Sequence, residues 1–408
     1  MEVLERIVMK FGGTSVANEE RIERAASLVI AEVRRGKQVA VVVSAMGKTT
    51  DTLLALANSL NAKAQRRELD MLLSTGEQVT ASLLAIAISA KGIVANSFTG
   101  WQAGLRTESV HGNARIENVN AKKIETTLES NAVAVIAGFQ GIDEQGELTT
   151  LGRGGSDTSA VAIAIAINAT VCDIYTDVEG VFTTDPRLIE NARKIPEISY
   201  DEMLEIANLG AGVLHPRAIE FAKNHKLPLR VRPAHVEGEG TVIKEEIELE
   251  NNLIVRGIAF EEEIVRITVM YDEPYNGSLA NVFTALAENH INVDIIVQTI
   301  MEGEQPSVSF TINNKDFAEA INVLETKKQS LGYRRADFEV GLAKVSIVGS
   351  GMVSNPGVAA KMFDSLRKAT VPIKMVSTSE IKVSVVIPGM DMEKVVAVLH
   401  KEYELENA

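Results

Sequence analysis

Short apolar runs punctuate the first part of the chain, each closing on glycines, hydroxyls or acids. Residues 3–11 enter the turn Lys10, Phe11, Gly12, Gly13, Thr14, Ser15, and residues 39–43 enter Ser44, Met46 and Gly47. Residues 132–143 form a third run that ends in Gly138 and Gly141, and a fourth, from residue 171, ends at Thr176 and Asp177. Strands this apolar are buried on both faces, as in a parallel sheet. Helical patterns start near Asn18, across residues 73–88, and after Asp157; residues 227–233 read as one more strand. Residues 92–122 carry a weaker pattern, in which Trp101 and residues 111–115 suggest an ordered loop.

Beyond residue 244 the pattern changes. An acidic polar run, residues 244–252, marks a junction, and an internal repeat with an offset of 80 follows. Gly277, Ala280, Phe283 and Leu286 match Gly357, Ala360, Phe363 and Leu366 in that register. Each copy reads strand, helix, strand, strand, helix. The expected fold class is α/β: a mainly parallel sheet sandwiched by helices, followed by two ferredoxin-like βαββαβ modules whose sheets pair side by side. The boundaries are 1–245, then 264–337 for the first module, and 250–263 plus 338–408 for the second.

Open α/β sheets bind ligands outside the carboxyl ends of their strands. Lys10, Ser44, Gly138 and the pair Thr176 and Asp177 all lie at such ends, so right-handed crossovers gather them along one edge. The segment 149–160 follows the Gly138 run. Gly152, Gly154 and Gly155 flank Arg153, and Ser156 and Asp157 stand where N-cap residues belong, ahead of an apolar helix. A glycine turn brings amides close to a ligand, the helix start adds partial positive charge, and Arg153 offers a fork for carboxylate or phosphate. This is anion-handling equipment. Glu77 falls in the first turn of its helix, where an acid suits the dipole whatever else it does. Thr49, Thr50 and Asp51 likewise read as helix caps or as ligand contacts.

With 408 residues, two or three domains are expected. The net charge of −14 argues against nucleic acid or an acidic membrane as the main partner. Cys172 is the single cysteine and the six histidines show no ligand spacing, so neither a disulfide nor a metal site is expected. The N-terminus lacks a signal-peptide pattern and no apolar run approaches the roughly 18 residues of a membrane span, pointing to a cytoplasmic protein.

Six motifs in order, residues 10–15, 41–51, 74–78, 137–141, 149–160 and 175–187, together with the C-terminal repeat, resemble the bacterial aspartate kinases. These are members of the amino acid kinase family that carry two ACT domains. The resemblance implies transfer of the γ-phosphoryl group of Mg-ATP to the β-carboxylate of L-aspartate, with magnesium riding mainly on the phosphates. It places this reaction first in lysine, threonine, methionine and diaminopimelate biosynthesis. Lys10, Phe11, Gly12, Gly13 and Ser44 would hold the phosphates, and Thr176, Asp177, Phe182, Asp185 and Arg187 would seat the nucleotide. Arg153 with Gly154, Gly155 and Ser156 would clamp the substrate α-carboxylate, Glu77 its ammonium, and Thr50 would add a contact. Asp157 would orient the basic groups.

Lysine, threonine or both would inhibit through Asn292, Val293, Asp294 and Gln298 in the first module. In the second, the matching positions are Val358, Ala359, Pro372, Ile373, Ser379 and Glu380. An Asp at a strand start, such as Asp294, is also ordinary surface. The chain departs from the common pattern at residues 274–277 and at Pro372. ACT pairing implies a homo-oligomer or assembly with an ACT-only subunit. Two rival readings are a kinase of the same fold acting on glutamate, acetylglutamate or a nucleotide, and a non-catalytic amino-acid sensor.

Overall fold

A computed structural model describes residues 4–210, 212–245, 254–272, 278–299 and 306–407. The junction run from 246 and the departure at residues 274–277 lie outside them. The chain divides into two units.

The first unit opens with β1 (Arg6–Phe11), α1 (Glu19–Arg34), β2 (Gln38–Val43), α2 (Thr49–Leu60), α3 (Arg66–Leu73) and α4 (Thr75–Ala90). Next come β3 (Ala95–Phe98), β4 (Leu105–Thr107), β5 (Ile116–Val119), α5 (Lys122–Glu129), β6 (Val133–Ala137), β7 (Gln140–Ile142) and β8 (Leu148–Thr150). It closes with α6 (Gly155–Ala166), β9 (Val171–Thr176), β10 (Glu197–Ser199), α7 (Tyr200–Asn208), α8 (Pro216–Asn224), β11 (Leu229–Pro233) and β12 (Thr241–Lys244).

Eight strands form one sheet in the order β10-β12-β11-β9-β1-β2-β6-β3, parallel from β11 through β3. The four apolar runs are therefore adjacent strands β9-β1-β2-β6, and their carboxyl ends share an edge as expected. Strand alternation sends Ile7, Met9, Val41 and Val43 into a core with α1 and α4. Each such side chain contributes roughly 1.5–3 kcal/mol by leaving water. α6 crosses β1, β2 and β9. Asn18 caps α1 by accepting from the Arg21 amide at 3.0 Å.

Three expectations are corrected. The run 132–143 is not one strand: Gly138 packs against Ser156, Phe139 takes φ +69°, and the chain turns into β7 of a separate four-stranded sheet, β5-β4-β7-β8. Ser156 and Asp157 are not N-caps either. Gly154, left-handed at φ +66°, is the cap, and both residues lie inside the first turn of α6. Finally, α3 and α4 join through a helical Ser74 into a 25-residue stretch, Arg66–Ala90, long and apolar enough to span a bilayer. Half of its apolar window is buried in this unit, as in a core helix, and the acids Asp70 and Glu77 within it are buried.

The second unit contains β13 (Gly257–Met270), α9 (Ser278–Glu288), β14 (Ile296–Thr299), β15 (Ser307–Asn313), α10 (Phe317–Thr326), α11 (Lys328–Leu331) and β16 (Arg335–Val348). α12 (Val358–Lys368), β17 (Met375–Thr378), β18 (Lys382–Pro388) and α13 (Met392–Glu402) complete it. The repeats fuse into a single antiparallel sheet, β14-β15-β13-β16-β18-β17. The long strands β13 and β16 serve both repeats, and their register shifts between Glu261 and Ile264. Separate cores form under α9 and α10 and under α12 and α13.

Residues Thr183–Arg193 belong to this second unit. The Thr183 carbonyl accepts from the Ile258 amide at 2.7 Å, its hydroxyl lies 3.0 Å from His400 Nε2, and Leu188 and Ile189 pack on the second core. No apolar period in the sequence marks this excursion.

Candidate active site

The phosphate-type turn is built from β1. Gly12 donates its amide to the Tyr175 carbonyl at 3.2 Å, tying the ends of β1 and β9 together. That bond sets the turn. A side chain at Gly12 would come within 3.5 Å of the Lys10 ammonium. Gly13 approaches the next strand end so closely that a Cβ would stand 2.8 Å from the Ala45 carbonyl oxygen. Ser44, half-buried, donates its amide to the Phe11 carbonyl at 3.0 Å. Lys10 is 9% exposed, and its Nζ lies 2.6 Å from Asp157 Oδ1 in the first turn of α6. Such a partner offsets part of the cost of taking the lysine side chain out of water. The lysine of β1 and the glycine loop before α6 therefore meet at one edge, and Phe11 stacks on Tyr175 beneath them.

Glu77 sits beside this edge in the first turn of α4 and is 3% exposed. Oε1 accepts the Ala45 amide at 3.1 Å, whereas Oε2 is buried and has no hydrogen-bond partner among the described residues. Burial pushes the carboxyl up to about 7, against the pull of the amide. A cation at Oε2 would stabilise the ionised form. If an ammonium binds there, substrate affinity should fall by about tenfold per pH unit below 7, because a protonated Glu77 offers no charge. KM for an amino-acid substrate measured from pH 5.5 to 8.5 checks this; a profile unchanged by Glu77→Gln would show that another group titrates.

Arg153 is exposed and has no hydrogen-bond or ion-pair partner among the described residues, leaving its fork available. Gly152, Gly154, Gly155 and Ser156 surround it in the loop and first helical turn. Thr50 is half-buried at the start of α2. The expected nucleotide residues divide. Thr176 and Asp177 end β9, beside β1, with the Thr176 hydroxyl donating to Asp177 at 3.1 Å, and Phe182 closes that stretch of the first unit. Asp185 and Arg187 lie in the second unit, where the guanidinium grips the carboxylate at 2.6–3.1 Å and holds its pKa low.

His215 was passed over in the sequence because its spacing suggests no ligand. In the fold, its ring packs on Gly154, where a Cβ would lie 2.1 Å from Cγ. Its Nδ1 accepts the Arg217 amide at 3.3 Å, and Arg217 donates to the Leu151 carbonyl at 3.2 Å. Burial lowers the His215 pKa, with nearby Asp157 opposing. A neutral imidazole thus buttresses the glycine loop. The sequence signal that existed was Pro216 at a helix start with His215 as its cap.

In the second unit, Asn292 and Gln298 are exposed and Val293 packs on the first core. Asp294 pairs with Lys344 of β16, a buried lysine that also meets Glu261 at 2.8 Å. The position 80 residues on from Asp294 is Lys374, which pairs with Glu339 of the same strand at 2.8 Å. Equivalent loops of the two repeats thus carry opposite charge. Val358 and Ala359 open α12, with the Val358 carbonyl accepting from Tyr403 at 2.8 Å. Pro372 is exposed and Ile373 packs on the second core. Ser379 and Glu380 form the turn after β17, at the sheet edge opposite β14.

The first unit thus gathers Lys10, Asp157 and two glycine turns at one edge of a parallel sheet, and the chain continues into a doubled βαββαβ unit. Residues 5–233 match the amino acid kinase family, and residues 275–327 and 345–403 match the ACT domain. An aspartokinase from Bacillus sp. strain MGA3 is 58% identical over 402 residues, 98% of each chain. The structure of E. coli aspartokinase III in complex with aspartate and ADP is 28% identical, with TM-score 0.82, covering 98% of this chain and 99% of that one. The same E. coli enzyme in complex with lysine and aspartate matches at 28% identity and TM-score 0.78, over 97% and 99%. The chain belongs to the aspartokinases of the amino acid kinase family. It is accordingly a nucleotide-using kinase that carries ACT domains.

Proposed function

We propose that this chain transfers the γ-phosphoryl group of ATP to the β-carboxylate of L-aspartate, giving 4-phospho-L-aspartate. The observation that carries the reading is Glu77, a buried carboxylate with one open oxygen, on the same sheet edge as the Lys10–Asp157 pair. The open acid suits a substrate ammonium and the unpartnered Arg153 suits its α-carboxylate, so a zwitterion enters one way round. The complex of E. coli aspartokinase III with aspartate and ADP supports the same substrate pair here.

The attacking carboxylate, with a pKa near 3.9, is ionised at neutral pH and needs no general base. Positioning and positive charge then dominate catalysis. Lys10, steered by Asp157, neutralises the transferring group; Gly13 and Ser44 approach the phosphates; Thr50 adds a substrate contact. Thr176, Asp177 and Phe182 of the first unit contribute to seating the nucleotide. The fit to a magnesium nucleotide rests on the donor set at this edge, where Asp157 answers Lys10 and the glycine turn admits phosphate oxygens. Magnesium carried with the nucleotide would add charge neutralisation.

An ATP-dependent hydroxamate assay with aspartate, glutamate or no acceptor tests the reading. Product with aspartate alone supports it, product with glutamate moves it to a kinase of another acid, and product with neither sinks it.

For regulation we propose feedback inhibition by lysine, alone or together with threonine, through the loops holding residues 292–298, 358–359, 372–373 and 379–380. The lysine complex of the E. coli relative and the acid at Asp294 favour lysine. The reaction would open the biosynthesis of lysine, threonine, methionine and diaminopimelate in the cytoplasm, in a homo-oligomer or with an ACT-only subunit. The domain limits we propose are 1–245, 264–337, and 250–263 plus 338–408; the register shift between Glu261 and Ile264 supports the division within β13. Titrating activity against both amino acids, singly and together, tests the effector.

A further inference from the structure

We propose that Asp70 is a positioning residue that fixes the distance between the two ends of the amino-acid pocket, and hence which amino acid is accepted. The inference rests on the reading above, in which Glu77 holds the ammonium and Arg153 the carboxylate. Asp70 is 1% exposed within α3, and none of its hydrogen bonds reaches the proposed phosphate site. Its carboxylate accepts three hydrogen bonds from two other segments. Oδ1 takes the Thr150 hydroxyl at 2.6 Å, and Oδ2 takes His111 Nδ1 at 2.9 Å and the Gly112 amide at 3.0 Å. Because a carboxylate only accepts, His111 is the donor in its bond.

These partners lead directly to the two recognition groups. From Asp70 the chain runs helically through Ser74 into α4, and Glu77 follows seven residues on, about 10 Å at 1.5 Å per residue. Gln140 fastens that passage by donating to the Ser74 carbonyl at 2.8 Å. From Thr150, the last residue of β8, Arg153 follows three residues on. Its loop rests on the segment that Asp70 holds: a Cβ at Gly152 would lie 2.8 Å from Asn113 Oδ1 and 3.2 Å from the Gly112 carbonyl. The Ala114 amide donates to the Thr150 carbonyl at 2.9 Å, closing the circuit. One buried carboxylate thus pins together the helix that carries Glu77 and the strand that launches Arg153. Loss of its bonds lets the two slide apart and leaves donors unpaired in the interior.

The tests are Asp70→Asn and Thr150→Val, with Thr150→Ser as the variant that keeps the hydroxyl. Asp70→Asn and Thr150→Val should raise KM for aspartate about tenfold or more and reduce the preference for aspartate over glutamate. KM for ATP and kcat at saturating aspartate should change less than about threefold. Thr150→Ser should behave as the unmodified enzyme. A merely structural Asp70 would shift the unfolding midpoint while leaving the aspartate KM alone, or would raise both KM values in parallel; either result overturns the proposal. If Asp70→Asn does not fold, the Thr150 pair decides. Arg153→Ala run alongside separates the levels: aspartate binding weakened by that change but not by Thr150→Val refutes the role of Asp70 alone. Aspartate saturation untouched by Arg153→Ala refutes the pocket itself.

Discussion

Lys10→Ala should lower kcat by about 10²-fold or more while KM for aspartate stays within a few-fold. Such a loss corresponds to about 2.7 kcal/mol of transition-state stabilisation. Lys10 is nearly buried and held at 2.6 Å by Asp157, so its ammonium needs little reorganisation when charge moves on to the transferring group. The proposed reaction presses two anions together, and a preformed cation acts most strongly where they meet. Steady-state kinetics with both substrates varied checks the split. A large rise in KM with normal kcat would make Lys10 a ground-state binding group. Loss of the ammonium also leaves Asp157 buried beside no cation, so the unfolding midpoint of the variant should fall as well.

Arg153→Ala should instead act on substrate binding, raising KM for aspartate about 10²-fold, or about 2.7 kcal/mol, with a smaller effect on saturated turnover. The guanidinium is the one group of the 149–157 segment that is both charged and without a partner among the described residues. Arg153→Lys should recover little, since an ammonium cannot reproduce a two-point fork. Calorimetric titration with aspartate gives the binding constant directly, and unchanged affinity would remove Arg153 from the site.

The sheet edge was legible in the sequence because apolar runs such as residues 39–43 leave few alternatives to a doubly covered parallel strand, and parallel topology then gathers their ends. The placement of Lys10 and Ser44 at strand ends followed from that argument, whereas a role for Asp157 came only from the resemblance. Less visible were features that depend on distant partners. The positive φ at Phe139 and the three-residue strands β7 and β8 carry no periodicity, so the run 132–143 read as one strand. The start of α6 was misassigned by two residues because Ser156 and Asp157 are good caps in isolation, whereas packing of Gly154 on His215 decides the matter. Nothing in the local sequence around Asp70 marks it as buried. Only the long-range pairing that brings Thr150 and His111 to it reveals a buried group. In the second unit, the offset of 80 exposed the repeat, yet the opposite charges at Asp294 and Lys374 acquire meaning only once both are seen bound to β16.

The excursion Thr183–Arg193 bears on how the protein can be dissected. A fragment ended near residue 245 would keep that excursion but lose its packing surface, exposing Leu188 and Ile189 to water and inviting aggregation. A complementary fragment begun there would fold without a cover on Ile258 and His400. Cutting the chain at its acidic seam therefore leaves two unfinished pieces.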